Sequence, residues 1–110
     1  MQKYLVLYLA PAAAMQAMMD SKPEDMQAVM DAWKAWSDRC GDALVEMSPL
    51  SPGGRITASG SSSNEMGVVT YSVLQAEDMA AAQALLADHP HLGIAGCGIE
   101  VYGTMSLPWQ

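Results

Sequence analysis

Lys3-Tyr4-Leu5-Val6-Leu7-Tyr8-Leu9 decides how this chain is read, because as a strand it is apolar on both faces. Strand side chains alternate sides. Tyr4, Val6 and Tyr8 therefore point one way, and Leu5, Leu7 and Leu9 the other. An antiparallel sheet with one wet face alternates apolar with polar residues, and this strand does not. Helices of the same chain can cover one face. A chain of 110 residues has little left to cover the second, so the pattern predicts a partner subunit there.

Outward from this strand, Ala12 to Asp20 is rich in Ala and Met and reads as a short helix or helical turn. Ser21-Lys22-Pro23-Glu24 is a helix start, with Ser21 and Glu24 spaced as a capping box and Pro23 in the first turn. This helix should run to Cys40 and stop at Gly41. Met26, Val29, Met30, Trp33, Trp36 and Cys40 recur by threes and fours along it, one apolar stripe. A second strand covers 43–47, and the Pro- and Gly-rich 48–54 breaks it. Arg55 to Ser59 can resume pairing as a hairpin extension, and 60–64 reads as a flexible loop. A third strand covers 67–76. A helix over 77–88 carries Met79, Ala82, Leu85 and Leu86 inward, with acidic residues in its first turn, and Pro90 ends it. The last strand covers 98–105. Strand, helix, strand, strand, helix, strand is the ferredoxin-like order: an α+β fold with two helices on one face of a four-stranded antiparallel sheet.

The length fits one domain, 1–110. Twelve acidic against five basic residues give a formal charge of −7, which disfavours a nucleic-acid backbone as partner. Cys40 and Cys97 are isolated, and form neither a disulfide framework nor a metal-binding pair. The first strand is too short to span a bilayer and carries no cleavage site. The expectation is a cytoplasmic chain with reduced thiols and no membrane partner. Ten methionines and no phenylalanine are read as adaptable core packing.

Lys3-Tyr4-Leu5-Val6-Leu7-Tyr8, the helix segment Asp31-Ala32-Trp33-Lys34-Ala35-Trp36, and Asp88-His89-Pro90-His91-Leu92 followed by Gly98-Ile99-Glu100-Val101 together resemble the YCII-related proteins over nearly the whole chain. The resemblance implies a dimeric α/β-barrel, in which two ferredoxin-like sheets pack face to face, and so a homodimer through the open sheet face. One branch of that family carries a histidine–aspartate pair and another an Asp-Gly-Pro-Phe motif. Here 60–67 reads Gly-Ser-Ser-Ser-Asn-Glu-Met-Gly, and no histidine precedes residue 89.

His89 and His91 are the only histidines and the natural acid–base groups near neutral pH. His91 is the candidate proton carrier, with Asp88 or Glu100 as carboxylate partner. Against this stands the plainer reading, in which both histidines end a helix and sit part exposed. Trp33 and Trp36 offer an aromatic wall for a small ligand, or simply core packing. Tyr8 and Tyr71 fall on strands where a buried hydroxyl seeks a partner. Arg55 is a candidate hold for a carboxylate. His-x-His supplies two metal ligands without an evident third, so no metal and no cofactor is expected. The leading expectation is a small-molecule binder, with general acid–base chemistry on a small organic acid or lactone if it is an enzyme. A non-catalytic assembly or regulatory module is the second reading. A monooxygenase of the dimeric α/β-barrel class is the third, disfavoured by a first helix without histidine.

Overall fold

The computed structural model describes residues 1–51, 53–63 and 67–110. Strand β1 (Gln2–Leu9) leads into helices α1 (Ala12–Met19) and α2 (Pro23–Cys40). Strand β2 (Leu44–Pro49), a short hairpin β3 (Gly54–Thr57) and β4 (Gly60–Ser63), and the long strand β5 (Val68–Ala76) follow. Helix α3 (Met79–Leu86) and strand β6 (Gly98–Gly103) complete the chain's regular structure. The fold is α+β. Four strands form one antiparallel sheet in the order β2-β5-β1-β6, and β3 pairs with β4 apart from it. There are three α-helices among the described residues rather than two, because the Ala- and Met-rich 12–19 stretch completes two turns of its own.

The strand that opens the chain is central to the sheet. Tyr4, Val6 and Tyr8 are sealed beneath α2 and α3, at 3%, 0% and 0% exposure. Val6 and Tyr8 pack with Leu74 of β5, Trp36 of α2 and Leu86 of α3 in one cluster. Tyr4 packs with Ala76 and Ala82 in a second. Two polar side chains inside this layer are paired. Tyr8 Oη and Ser72 Oγ lie 3.0 Å apart, and the Trp36 indole N–H donates to the Leu85 carbonyl at 2.8 Å. Burial pushes the Tyr8 phenol up to about 12.

The other face of β1 is uncovered by any helix among the described residues. Leu5 is 36% exposed, and Leu7 and Leu9 are half-buried. Register aligns Tyr71, Leu7 and Glu100 in one row, and Glu46, Val73, Leu5 and Tyr102 in the next. Tyr71 Oη donates to Glu46 at 2.6 Å and Tyr102 Oη to Glu100 at 2.9 Å, so a Tyr–Glu pair flanks the leucines on each side. Each hydrogen bond raises its phenol's pKa, because the carboxylate holds the proton. The molecule is flat, 47 × 43 × 19 Å. Its radius of gyration is 15.5 Å, against about 13 Å for a compact domain of this length. Its surface is 7553 Å², roughly 1,700 Å² more than a monomer of this mass usually shows.

Local signals were met unevenly. Gly41 caps α2 at φ 55°, a conformation that favours glycine. Ser21 does not cap α2: Lys22 takes the N-cap position and Ser21 Oγ donates back to the Ala17 carbonyl at 2.8 Å. Closure of α1 captures the hydroxyl first. Helix α3 is shorter than 77–88, because Asp78 is its cap, accepting from the Ala81 N–H at 2.8 Å, and Glu77 lies outside it. Residues 60–63 form β4 rather than a flexible loop, since pairing with Gly54–Thr57 satisfies their backbone. Asn64, at the end of that expected loop, and Glu65 and Met66 beyond it lie outside the described residues, as does Pro52 of the turn-rich break.

Candidate functional site

The segment after α3 positions the two histidines. Proline restricts the residue before it to extended backbone, and His89 sits at φ −61°, ψ 137° as the N-cap of a tight turn over Pro90–Gly93. Its Nδ1 accepts the His91 N–H at 3.0 Å. That bond folds both rings inward. His89 is 2% and His91 1% exposed, so the expectation of part-exposed helix ends is overturned: the turn's own capping bond buries them.

His89 is a packing residue. Its ring lies 4.4 Å from Trp33, 4.4 Å from Trp36 and 4.9 Å from Tyr8, centre to centre. An Nδ1 that accepts leaves the proton of the neutral ring on Nε2. That buried Nε2 has no hydrogen-bond partner among the described residues. Burial is the main cause that lowers this imidazole to about 4, with the nearby His91 adding to it. His89 is therefore neutral at physiological pH and surrounded by aromatic rings.

His91 is placed differently. Its Nε2 lies 2.7 Å from the Leu9 carbonyl at the end of β1. A carbonyl only accepts, so Nε2 carries the proton. In the neutral ring Nδ1 is then the free acceptor. His91 lines a cavity of about 280 Å³ between the sheet and the start of α2. Trp33 forms another part of the wall, and four methionines, Met18, Met26, Met30 and Met47, contribute to the rest. Thr70 contributes the one hydroxyl. Two breaks in regularity shape this end of the sheet. The β1–β5 register shifts at Tyr8/Leu9. Gly67 (φ 73°) brings its carbonyl to the Ala10 N–H at 2.9 Å, where a Cβ would meet the Ala10 oxygen at 2.9 Å.

The carboxylate partners expected for His91 are elsewhere. The Asp88 side chain is mostly in solvent, 3.6 Å from Arg39. Glu100 lies on the open face, paired with Tyr102. No acid–base couple of His91 with Asp88 or Glu100 is assembled, because β-strand alternation sends Glu100 to the opposite side and Asp88 follows the end of α3 outward. The aromatic residues divide as well. Trp33 lines the cavity, whereas Trp36 and Tyr8 form the packed layer behind it. Tyr71 is on the open face. Arg55 projects from the β3–β4 hairpin, exposed and paired in register with Ser62. Thus Trp33 and His91 come together at the cavity wall, with Tyr8 packed behind them at 4.9 Å and 5.7 Å between ring centres, while Trp36, Tyr71, Arg55, Asp88 and Glu100 are not among the lining residues.

Sequence reasoning passed over the methionines and Thr70. The signal was present: Met26, Val29 and Met30 extend the α2 stripe one turn beyond what Trp33 and Trp36 need, and Met30 remains 62% exposed. Among the described residues no group of three His, Cys, Asp or Glu side chains could hold a metal ion. Both cysteines are free. No helix is long and apolar enough to cross a membrane among the described residues. No protein-family model matches the chain, and no curated protein matches it.

Proposed function

We propose that this protein is a ferredoxin-like, YCII-related homodimer that binds a small molecule in the cavity beside Trp33 and His91. The observation that carries the reading is the cavity's composition. It is apolar, of ligand size, and among the described residues contains a single titratable side chain, whose ring is locked by the Leu9 carbonyl. Largely preformed apolar clefts with a few fixed polar groups are the usual form of small-molecule sites. His91 Nδ1 serves as a hydrogen-bond acceptor and, if the bound molecule is turned over, as the general base. Catalysis in that case rests on His91 without carboxylate assistance. The second copy covers Leu5, Leu7, Leu9 and Val73. The extra surface of roughly 1,700 Å² exceeds the ~800 Å² per partner of a standard interface.

Native mass spectrometry of freshly purified protein, followed by titration with a neutral naphthalene-sized probe read by tryptophan fluorescence, tests this. The expected result is a dimer mass and saturable quenching that Val29→Trp, which fills the cavity, abolishes. Failure of the probe to bind the wild type, or equal binding to Val29→Trp, contradicts the site.

A further inference from the structure

We infer that the cavity selects an uncharged, largely apolar, ring-containing molecule that donates one hydrogen bond to His91 Nδ1. This rests on reading the cavity as a ligand site, and of the small organic acid or lactone expected from the sequence it excludes the ionised acid.

Charge is the first argument. Among the described residues, the wall consists of thioethers, aliphatic groups, one indole, the Thr70 hydroxyl and the His91 ring, with no Lys, Arg, Asp or Glu. None of the five Lys and Arg side chains is among its lining residues. Lys34 pairs with Asp38 at 3.0 Å on the exposed side of α2, Arg39 faces Asp88, and Arg55 stands on the hairpin. Moving an ionised carboxylate from water into such a wall, without a paired charge, is strongly unfavourable. The chain's formal charge of −7 further repels anions on approach.

Polarity and size complete the argument. His91 Nε2 is committed to the Leu9 carbonyl, so the neutral ring offers an acceptor and demands a donor. A hydroxyl meets that demand; a hydrocarbon leaves the lone pair unmatched. A dry cavity of about 150 Å³ holds benzene. By that scale about 280 Å³ takes roughly a dozen non-hydrogen atoms. The wall favours rings over flexible chains, since methionine sulfur and indole are polarizable partners for aromatic edges and faces.

Three probes of one shape decide the matter on the wild-type protein. They are 2-naphthalenemethanol, its isostere 2-ethylnaphthalene, and 2-naphthoate. The expected order is the alcohol about tenfold tighter than the hydrocarbon, with no saturable binding of the carboxylate. His91→Phe, which keeps a ring and removes the acceptor, should bring alcohol and hydrocarbon together; the wild-type order decides alone if that variant does not fold. Binding of the hydrocarbon or the carboxylate as tightly as the alcohol overturns the selectivity and leaves the site standing. Binding of none of the three overturns the site itself.

Discussion

The two faces of β1 differ in what covers them, not in how apolar they are. On one, Tyr4, Val6 and Tyr8 are almost wholly removed from water under α2 and α3. On the other, Leu5, Leu7 and Leu9 stay partly exposed between two Tyr–Glu pairs. The covered face places its polar atoms within hydrogen-bond reach, with the His89 Nε2 as the exception. The open face keeps its phenols and carboxylates at the margins, as interface rims do around an apolar centre. Residues alike in hydrophobicity thus meet two fates: one set builds the core that backs the cavity, and the other stays partly open to solvent.

The comparison can be broken from the covered side first. Trp36→Ala removes the largest fully buried side chain and strands the Leu85 carbonyl. It should lower unfolding free energy by about 3–5 kcal/mol in urea titration. A loss below about 1 kcal/mol would mean that this layer is loosely packed. Acid comes next. His89 is lowered from 6.5 to about 4 on folding. Its contribution is complete above the unfolded value of about 6.5 and falls as pH drops towards about 4, because the unfolded chain takes up the proton first. The loss across that window should be roughly 3 kcal/mol, and His89→Phe should flatten the profile. A wild-type profile already flat across that window would contradict a buried neutral imidazole.

The open side should respond in assembly rather than in folding. Leu7→Lys places a charge at the centre of the leucine row. It should weaken association by about 2 kcal/mol, near thirtyfold in Kd, while the circular dichroism spectrum is retained. The smallest effect belongs to the rim. Tyr102 is 48% exposed, so Tyr102→Phe should change protomer stability by less than about 0.5 kcal/mol, measured by thermal unfolding at a concentration where the protein is monomeric. A larger loss would place Tyr102 in the protomer's own core.

Much of the fold was legible because its signals are periodic. Side-chain alternation sorts β1 into two faces, and the three-four stripe of α2 specifies its inward side, whatever lies opposite. The site was less legible, since it depends on events that periodicity does not encode. His-Pro-His after a helix reads as an exposed terminus, yet one side-chain-to-backbone bond from His89 turns both rings inward. Glu100 looks close to His91 in sequence, yet strand alternation sends it to the other face. Ser21 had a good capping position for α2 and was taken by the preceding helix. The methionine wall needed α1, α2 and β2 together, and no local window contains all three.

Sedimentation equilibrium of the wild-type chain at micromolar concentration tests the central claim most directly. The account predicts a species of twice the 11.7 kDa protomer mass, which Leu7→Lys returns to a folded protomer. A well-folded wild-type species of 11.7 kDa, with Leu5 and Leu7 open to solvent in hydrogen exchange or footprinting, would contradict it.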